Sequence, residues 1–122
     1  MNDRILTCLG ALNMFIAVGA GAFGAHGLKQ RLSADMLAVW QTGVTYHLIH
    51  GLGLLLIASL APRLAAARVA WSGSLMQAGI VLFSGSLYLL ALLGARPLGI
   101  VTPIGGVLLL ASWAVLAWSA LR

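Results

Sequence analysis

Three histidines are the side chains of this chain best suited to chemistry. His26 follows the first long apolar stretch, and His47 and His50 lie three residues apart within the second. On a helix, residues three apart are neighbours on the surface, so His47 and His50 can point the same way. Neutral imidazole is a good ligand for zinc, copper and haem iron. His26 and His50, which come from two different segments, are therefore the candidate pair of metal or haem ligands.

The surroundings of these histidines argue against a metal or catalytic centre. The chain has no HExxH motif, and its single cysteine, Cys8, stands within an apolar run. No acidic residue accompanies a serine and a histidine as a nucleophilic triad requires, and only Asp35 is a carboxylate near these histidines. The sequence therefore predicts a protein that is not an enzyme, with no catalytic residues and no cofactor. Metal or haem binding through His26 and His50 is the alternative.

The elements that carry the histidines are long apolar segments. Of the 122 residues, 61% are hydrophobic and 7% are charged, whereas a soluble domain carries about 25% charged residues. Four uncharged stretches are apparent, over about residues 5–25, 43–61, 69–93 and 98–121. A helix of about 20 residues crosses the hydrocarbon core, and its backbone groups must be satisfied within the segment. The sequence thus predicts one domain over residues 1–122, an all-α four-helix transmembrane bundle with up-down topology.

The link between the first two spans has a helical pattern. Apolar residues recur at helical spacing and charged residues fall largely between them: Leu28, Leu32, Met36, Val39 and Trp40 are the apolar set. This pattern predicts a short amphipathic helix at the membrane interface over about residues 28–40, with Trp40 at head-group depth. A polar loop is the alternative.

The fourth span contains a proline early in its apolar run. Thr102, Pro103 and the pair Gly105–Gly106 follow the first residues of the segment. One interpretation is a helix kinked at Pro103, because proline removes a backbone donor. The other makes Thr102 the N-cap and Pro103 the first helical residue. The sequence leaves both interpretations open.

Small and polar residues within the spans indicate how the helices pack. Close approach of small residues drives helix association in lipid, and the residues predicted to provide it are Ala17, Gly21, Gly24, Ala25, Gly85 and Gly106. Polar residues within spans are expected to face the interior and to bond between helices. No charged residue lies inside a span, which disfavours ion-coupled transport. A passive channel, or a site for a lipid or quinone lined by Ser84, Ser86, Tyr88 and residues 102–106, is a further alternative.

The basic residues indicate the membrane as the partner. The net charge is +5, and the seven Lys and Arg residues stand near the ends of apolar runs, where they meet anionic lipid head groups. No basic face with interleaved aromatic residues exists, so nucleic-acid binding is not expected. The positive-inside rule favours cytoplasmic termini for a multi-pass protein of the cell membrane, or of the inner membrane in a Gram-negative cell. One side carries Arg4, Arg63, Arg68 and Arg122, and the other carries Lys29, Arg31 and Arg96.

Four ordered motifs resemble a known family. They are GAFGAHGL at residues 21–28, WQTG at 40–43 followed by Tyr46 and His50, LFSGSLY at 82–88, and TPIGG at 102–106 with Trp113. The chain is similar in these motifs to the YgdD-like inner-membrane family (domain-of-unknown-function family 423), which includes transmembrane protein 256. The resemblance implies a small four-span protein with no established activity. The motif positions that carry over are Gly21, Phe23, Gly24, His26, Tyr46, His50, Ser84, Gly85, Ser86, Tyr88, Thr102, Pro103 and Gly106.

The resemblance also narrows the candidate functional cluster. A glutamine stands at the position of His47 in a relative, which leaves His26 and His50 as the pair of histidines to test. The cluster then consists of His26, Tyr46, His50, Ser84, Ser86, Tyr88, Thr102 and Pro103. We expect a structural or accessory membrane component, with lipid as its surroundings and with copies of itself or a larger membrane complex as its partner.

Overall fold

The computed structural model describes residues 1–121 and contains four long helices. These are α1 (Asp3–Phe23), α2 (Ala34–Leu60), α3 (Ala66–Leu93) and α4 (Leu98–Ala120). A π-helical segment, Gly24–Leu28, extends α1, and a 3₁₀ turn, Ala61–Arg63, follows α2. Each of the four helices is long and apolar enough to cross a membrane. The prediction of an all-α four-helix transmembrane bundle is confirmed.

Close contacts at glycines show how the helices pack. Gly10 of α1 lies against Leu55 of α2, while Gly24 lies against Trp40, so these two helices run antiparallel. Gly79 of α3 lies against Leu109 of α4 in the same antiparallel manner, with Gly105 of α4 packed on α3 further along. The helices α2 and α3 are the most buried, and α1 and α4 pack on them from outside. The core between them is apolar and contains Leu6, Leu54, Ile57, Met76 and Ile80.

The separate interfacial helix predicted over residues 28–40 is corrected by the structure. Residues 29–33 form a turn, and α2 begins at Ala34, where the Ser33 side chain accepts a hydrogen bond from the Met36 N–H (3.2 Å). The helix then continues without a break to Leu60, because no proline interrupts it and Trp40 packs onto α1. Its 27 residues amount to a length of about 40 Å, which exceeds a hydrocarbon core of about 30 Å. Residues 34–40 are therefore the first turns of α2.

The π-helical segment at the end of α1 is explained by Trp40. The Trp40 indole N–H donates to the Ala20 carbonyl (2.9 Å), and the Gly24 N–H is shared between the carbonyls of Ala20 and Gly21. A competing donor weakens the regular helical ladder at this point, which favours the wider π geometry. A Cβ atom on Gly24 would lie 2.6 Å from Trp40 Nε1. Glycine at this position is therefore what lets the indole reach the backbone.

The structure decides between the two interpretations of the fourth span. The helix α4 begins at Leu98, and Pro103 lies inside it, so the interpretation with Thr102 as N-cap is wrong. The Thr102 hydroxyl donates to the Leu98 carbonyl (3.4 Å) and bonds to the Ser86 hydroxyl (2.5 Å). The carbonyl that lacks a donor because of Pro103 is that of Gly99, which is exposed in the first helical turn. Proline is therefore tolerated there.

Candidate functional site

The two histidines of α2 are both buried and contact different helices. Each is 5% exposed. His47 lies between Asn13 of α1 and Tyr88 of α3, whereas His50 contacts Trp113 of α4. Side chains three residues apart on a helix point about 60° apart around its axis. In a tight bundle this angle is enough for the two side chains to contact different helices. They do not form a common site.

His47 belongs to a hydrogen-bonded chain through the centre of the bundle. The Asn13 amide nitrogen donates to the Gln77 side-chain oxygen and to the Leu9 carbonyl (both 2.7 Å), so its oxygen is an acceptor. That oxygen accepts a hydrogen bond from the His47 Nε2–H (2.9 Å), which leaves His47 Nδ1 to accept from the Tyr88 hydroxyl (2.9 Å). This arrangement defines the tautomer of the neutral imidazole, with its proton on Nε2. This chain, which we call the central network, links α1, α2 and α3.

His50 has the opposite tautomer for a similar reason. The Trp113 indole N–H donates to His50 Nε2 (3.0 Å), because indole has no acceptor nitrogen. The proton of His50 is then on Nδ1, where it is donated to the Tyr46 carbonyl (2.7 Å). Both ring nitrogens are occupied, and the bond to Trp113 joins α2 to α4.

The structure does not bring His26 and His50 together. His26 is exposed on the π-helical segment, where the antiparallel register of Gly24 and Trp40 puts it opposite residue 38 of α2. His50 is twelve residues further along α2, a distance of about 18 Å at the helical rise. The lone pair of His50 Nε2 is also taken by the indole. Within residues 1–121, no group of three or more His, Cys, Asp and Glu side chains is placed to hold a metal ion.

The serines of the candidate cluster join helices. The Ser84 hydroxyl donates to the Gly43 carbonyl (2.8 Å) and so joins α3 to α2, while Ser86 joins α3 to α4 through Thr102. A reciprocal pair has the same role: the Ser72 and Ser112 hydroxyls each donate to the carbonyl of the other residue, at 3.0 and 2.6 Å. The sequence led us to expect an interhelical bond from Ser112 and did not indicate Ser72 as its partner. The spacing of serines along one helix carries no sign of which neighbour they meet.

The small residues predicted to pack helices divide into two groups. Ala17 is fully buried and Gly24 contacts Trp40. A Cβ atom on Gly21 would lie 3.3 Å from the Val44 Cγ1. In contrast, Ala25 is exposed and Gly85 has open space around it. In α4 the close backbone approach is at Gly105, while a Cβ atom on Gly106 would be 3.7 Å from Phe83.

Tyr46 and His50 line a groove that the sequence did not indicate. It has a volume of about 460 Å³ and lies between α2 and α4, with Phe83, Gly106 and Trp113 among its lining residues. The Tyr46 ring lies 4.6 Å from the Phe83 ring and nearly parallel to the His50 ring at 6.0 Å, between centroids. We call this site the aromatic groove. The rest of the cluster lies elsewhere: Ser84 is buried against α2, Tyr88 is in the central network, and Pro103 and His26 are exposed.

Comparison with known proteins gives a family and no activity. Residues 20–106 match the family described as "Protein of unknown function (DUF423)". A UPF0382 membrane protein of Staphylococcus epidermidis is 50% identical over 98% of this chain and 97% of its own length. The UPF0382 membrane protein YwdK of Bacillus subtilis is 48% identical over 98% of each chain. No solved structure matches. The chain therefore belongs to the DUF423 family and is a multi-pass membrane protein.

Proposed function

We propose that this protein is a non-catalytic component of the cell membrane that works by assembling with copies of itself. One observation carries the proposal: both ring nitrogens of each buried histidine are bonded to protein groups. Three of these four bonds reach neighbouring helices, and the fourth joins His50 Nδ1 to the Tyr46 carbonyl of its own helix. Throughout residues 1–121, every buried side-chain nitrogen and oxygen has a hydrogen-bond partner. The two buried histidines are therefore used to hold the bundle together, whereas His26 is exposed, which leaves the outer surface for function.

The outward face of α1 supports self-assembly. A shallow groove of about 510 Å³ lies along it, lined by Ala11, Met14, Phe15, Val18 and Gly19. Phe15 is 79% exposed, and a Cβ atom on Gly19 would have nothing within 4 Å. Glycine weakens a helix relative to alanine, whereas in membranes small residues let two helices approach closely. A second copy packing its α1 here would bury Phe15 over the space at Gly19.

The stoichiometry in mild detergent tests this proposal. Native mass spectrometry of the purified chain is expected to show an oligomer, and Gly19→Leu is expected to convert it to the monomer by filling the groove. Gly99→Leu is the matched control, because Gly99 is also an exposed helical glycine with open space around it. A monomeric wild-type chain at all concentrations, or an oligomer that is unchanged by Gly19→Leu, would contradict the proposal.

We also propose that both termini face the cytoplasm. Of the described basic residues, three (Arg4, Arg63 and Arg68) lie at the end of the bundle that carries the N-terminus, and three lie at the other end. The seventh, Arg122, lies outside the described residues, and its place in the sequence after α4 adds it to the first group. The positive-inside rule gives the end with more Lys and Arg to the cytoplasm. A C-terminal green fluorescent protein fusion is then expected to fluoresce, while a C-terminal alkaline phosphatase fusion stays inactive. Active phosphatase would reverse the orientation.

A further inference from the structure

The aromatic groove lies near the middle of the membrane span and opens sideways. Its residues come from the middle of α2 and of α4, around His50 and Leu109. Side chains at its rim are exposed: Tyr46 is 42%, Ile49 is 49% and Leu110 is 72% exposed. In a bilayer, this opening faces the lipid tails, so a ligand would enter from the membrane.

The walls of the groove are held in place by contacts that do not involve a ligand. The bond from Trp113 to His50 holds one wall, and the contact of Gly105 with the Phe83 backbone holds α4 against α3. Gly106 adds no side chain, and the Phe83 ring lies beyond it. The groove is therefore formed before binding, as is usual for small-molecule sites, and its volume of about 460 Å³ lies in their usual range.

The Tyr46 hydroxyl is the polar group of this groove that is left without a partner. Among residues 1–121 no group bonds to it, whereas the Tyr88 hydroxyl and the Trp113 N–H are both bonded within the protein. Tyr46 is four residues from His50, or about 6 Å along the helix. No water is available in the hydrocarbon core to satisfy such a group. A ligand with a hydrogen-bond acceptor at this depth would do so.

We propose that the aromatic groove binds an isoprenoid quinone. The flat ring would lie against Phe83 and Trp113, the Tyr46 hydroxyl would donate to one ring carbonyl, and the isoprenoid tail would extend into the bilayer. A phospholipid chain fits less well, because its ester oxygens stay at the interface, about 15 Å from the bilayer centre for a core of about 30 Å. A quinone carries its acceptors into the core.

Fluorescence of the full chain in lipid nanodiscs tests this proposal. The probe is decylubiquinone, which quenches tryptophan that it approaches. In a background with Trp71→Phe and Trp118→Phe, only Trp40 and Trp113 remain, and saturable quenching is expected for the part of the fluorescence that comes from Trp113. Tyr46→Phe keeps the ring and removes only the hydroxyl, so it is expected to weaken binding about tenfold, the worth of one good hydrogen bond. Gly106→Leu fills the groove and is expected to abolish saturable quenching, while Gly99→Leu on the same helix leaves it unchanged.

A second ligand tests whether binding depends on the carbonyl oxygens of the quinone or only on an apolar chain. Decylbenzene has a ring and the same tail length and lacks the carbonyl oxygens, so it is expected to compete poorly with decylubiquinone for the wild-type protein. Equal competition by decylbenzene, or quenching that is the same for wild type and Tyr46→Phe, would overturn the proposal. Purely linear quenching would also overturn it, because that is simple partition into lipid. The oligomeric state is measured separately, so failure of either proposal is visible by itself.

Discussion

Replacing Gly105 by alanine is expected to push α4 away from α3. A Cβ atom at Gly105 would lie 2.7 Å from the Phe83 Cα and 2.8 Å from the Leu82 carbonyl carbon. These are backbone atoms of α3, so no side-chain rotation can relieve the overlap. The two helices have to separate instead, over the region where Gly79 and Leu109 also pack closely.

The size of the effect follows from these distances. Ordinary van der Waals contact begins near 3.4 Å, and the Phe83 amide nitrogen lies closer to this Cβ atom than the Phe83 Cα does, so α4 must retreat by at least about 0.7 Å at this point. A gap of that size forfeits about a quarter to a half of the dispersion energy of each contact, and overpacked sites typically cost about 1–3 kcal/mol. The higher helix propensity of alanine offsets about 1 kcal/mol of this cost. Because the overlap is with backbone atoms, the upper end of that range applies, and we therefore expect Gly105→Ala to lower the free energy of unfolding by about 2 kcal/mol.

Unfolding by sodium dodecyl sulfate in mixed micelles, followed by tryptophan fluorescence, measures this difference. The control is Gly106→Ala, the neighbouring glycine, whose Cβ atom would make only an ordinary contact with the Phe83 ring at 3.7 Å. That variant is expected to be as stable as the wild type or slightly more stable. If Gly105→Ala unfolds at the same detergent fraction as Gly106→Ala, the close backbone approach of α3 and α4 is not what the structure indicates.

The same titration tests three further expectations. His47→Phe leaves the Asn13 oxygen and the Tyr88 hydroxyl without partners and is expected to cost about 1–2 kcal/mol; an unchanged midpoint would contradict the central network. Trp113→Phe removes the donor to His50 and also part of the ring that packs at Gly53, so a loss above about 0.6 kcal/mol is expected, and an unchanged midpoint would contradict the bond to His50. Serine-to-alanine changes at the reciprocal pair that joins α3 to α4 each remove one bond to a backbone carbonyl that stays in place, so each is expected to cost about 0.6 kcal/mol with nearly additive losses, and an unchanged midpoint for the double variant would argue against the pair.

The four spans were predictable because the bilayer limits what an apolar segment can do. Each of the four segments is too long and too apolar to be anything but a helix in lipid. The four α-helices contain these segments apart from residues 24 and 25 in the π-helical extension, residue 61 in the 3₁₀ turn, and the last predicted residue, Leu121. The boundaries were less accurate where polar residues continue a helix beyond the lipid. In α2, residues 34–42 extend the helix towards the interface, and their amphipathic pattern was taken for a separate element.

The candidate site was predictable only in part, because the helices of this protein lack a clear polar face. Lipid and the interior of the bundle are both apolar, so the distribution of apolar residues along α2 does not show which neighbouring helix His47 or His50 contacts. Sequence reasoning selected His50 and Tyr46, and the structure puts both at the aromatic groove. It paired His50 with His26, although the antiparallel register separates them. It gave Trp113, which holds the His50 ring, only as a residue accompanying a family motif.

The sequence by itself determined the class of this protein: four charge-free apolar segments in 122 residues require four membrane-spanning helices, since backbone groups in lipid must bond within their own segment. Only the tertiary structure decided which glycines bring helices together and which lie open. It also decided which nitrogen of each buried histidine carries the proton. Those properties depend on the rotation and register of one helix against another, and these are set by contacts between residues far apart in the chain, such as Asn13 with His47 and His50 with Trp113.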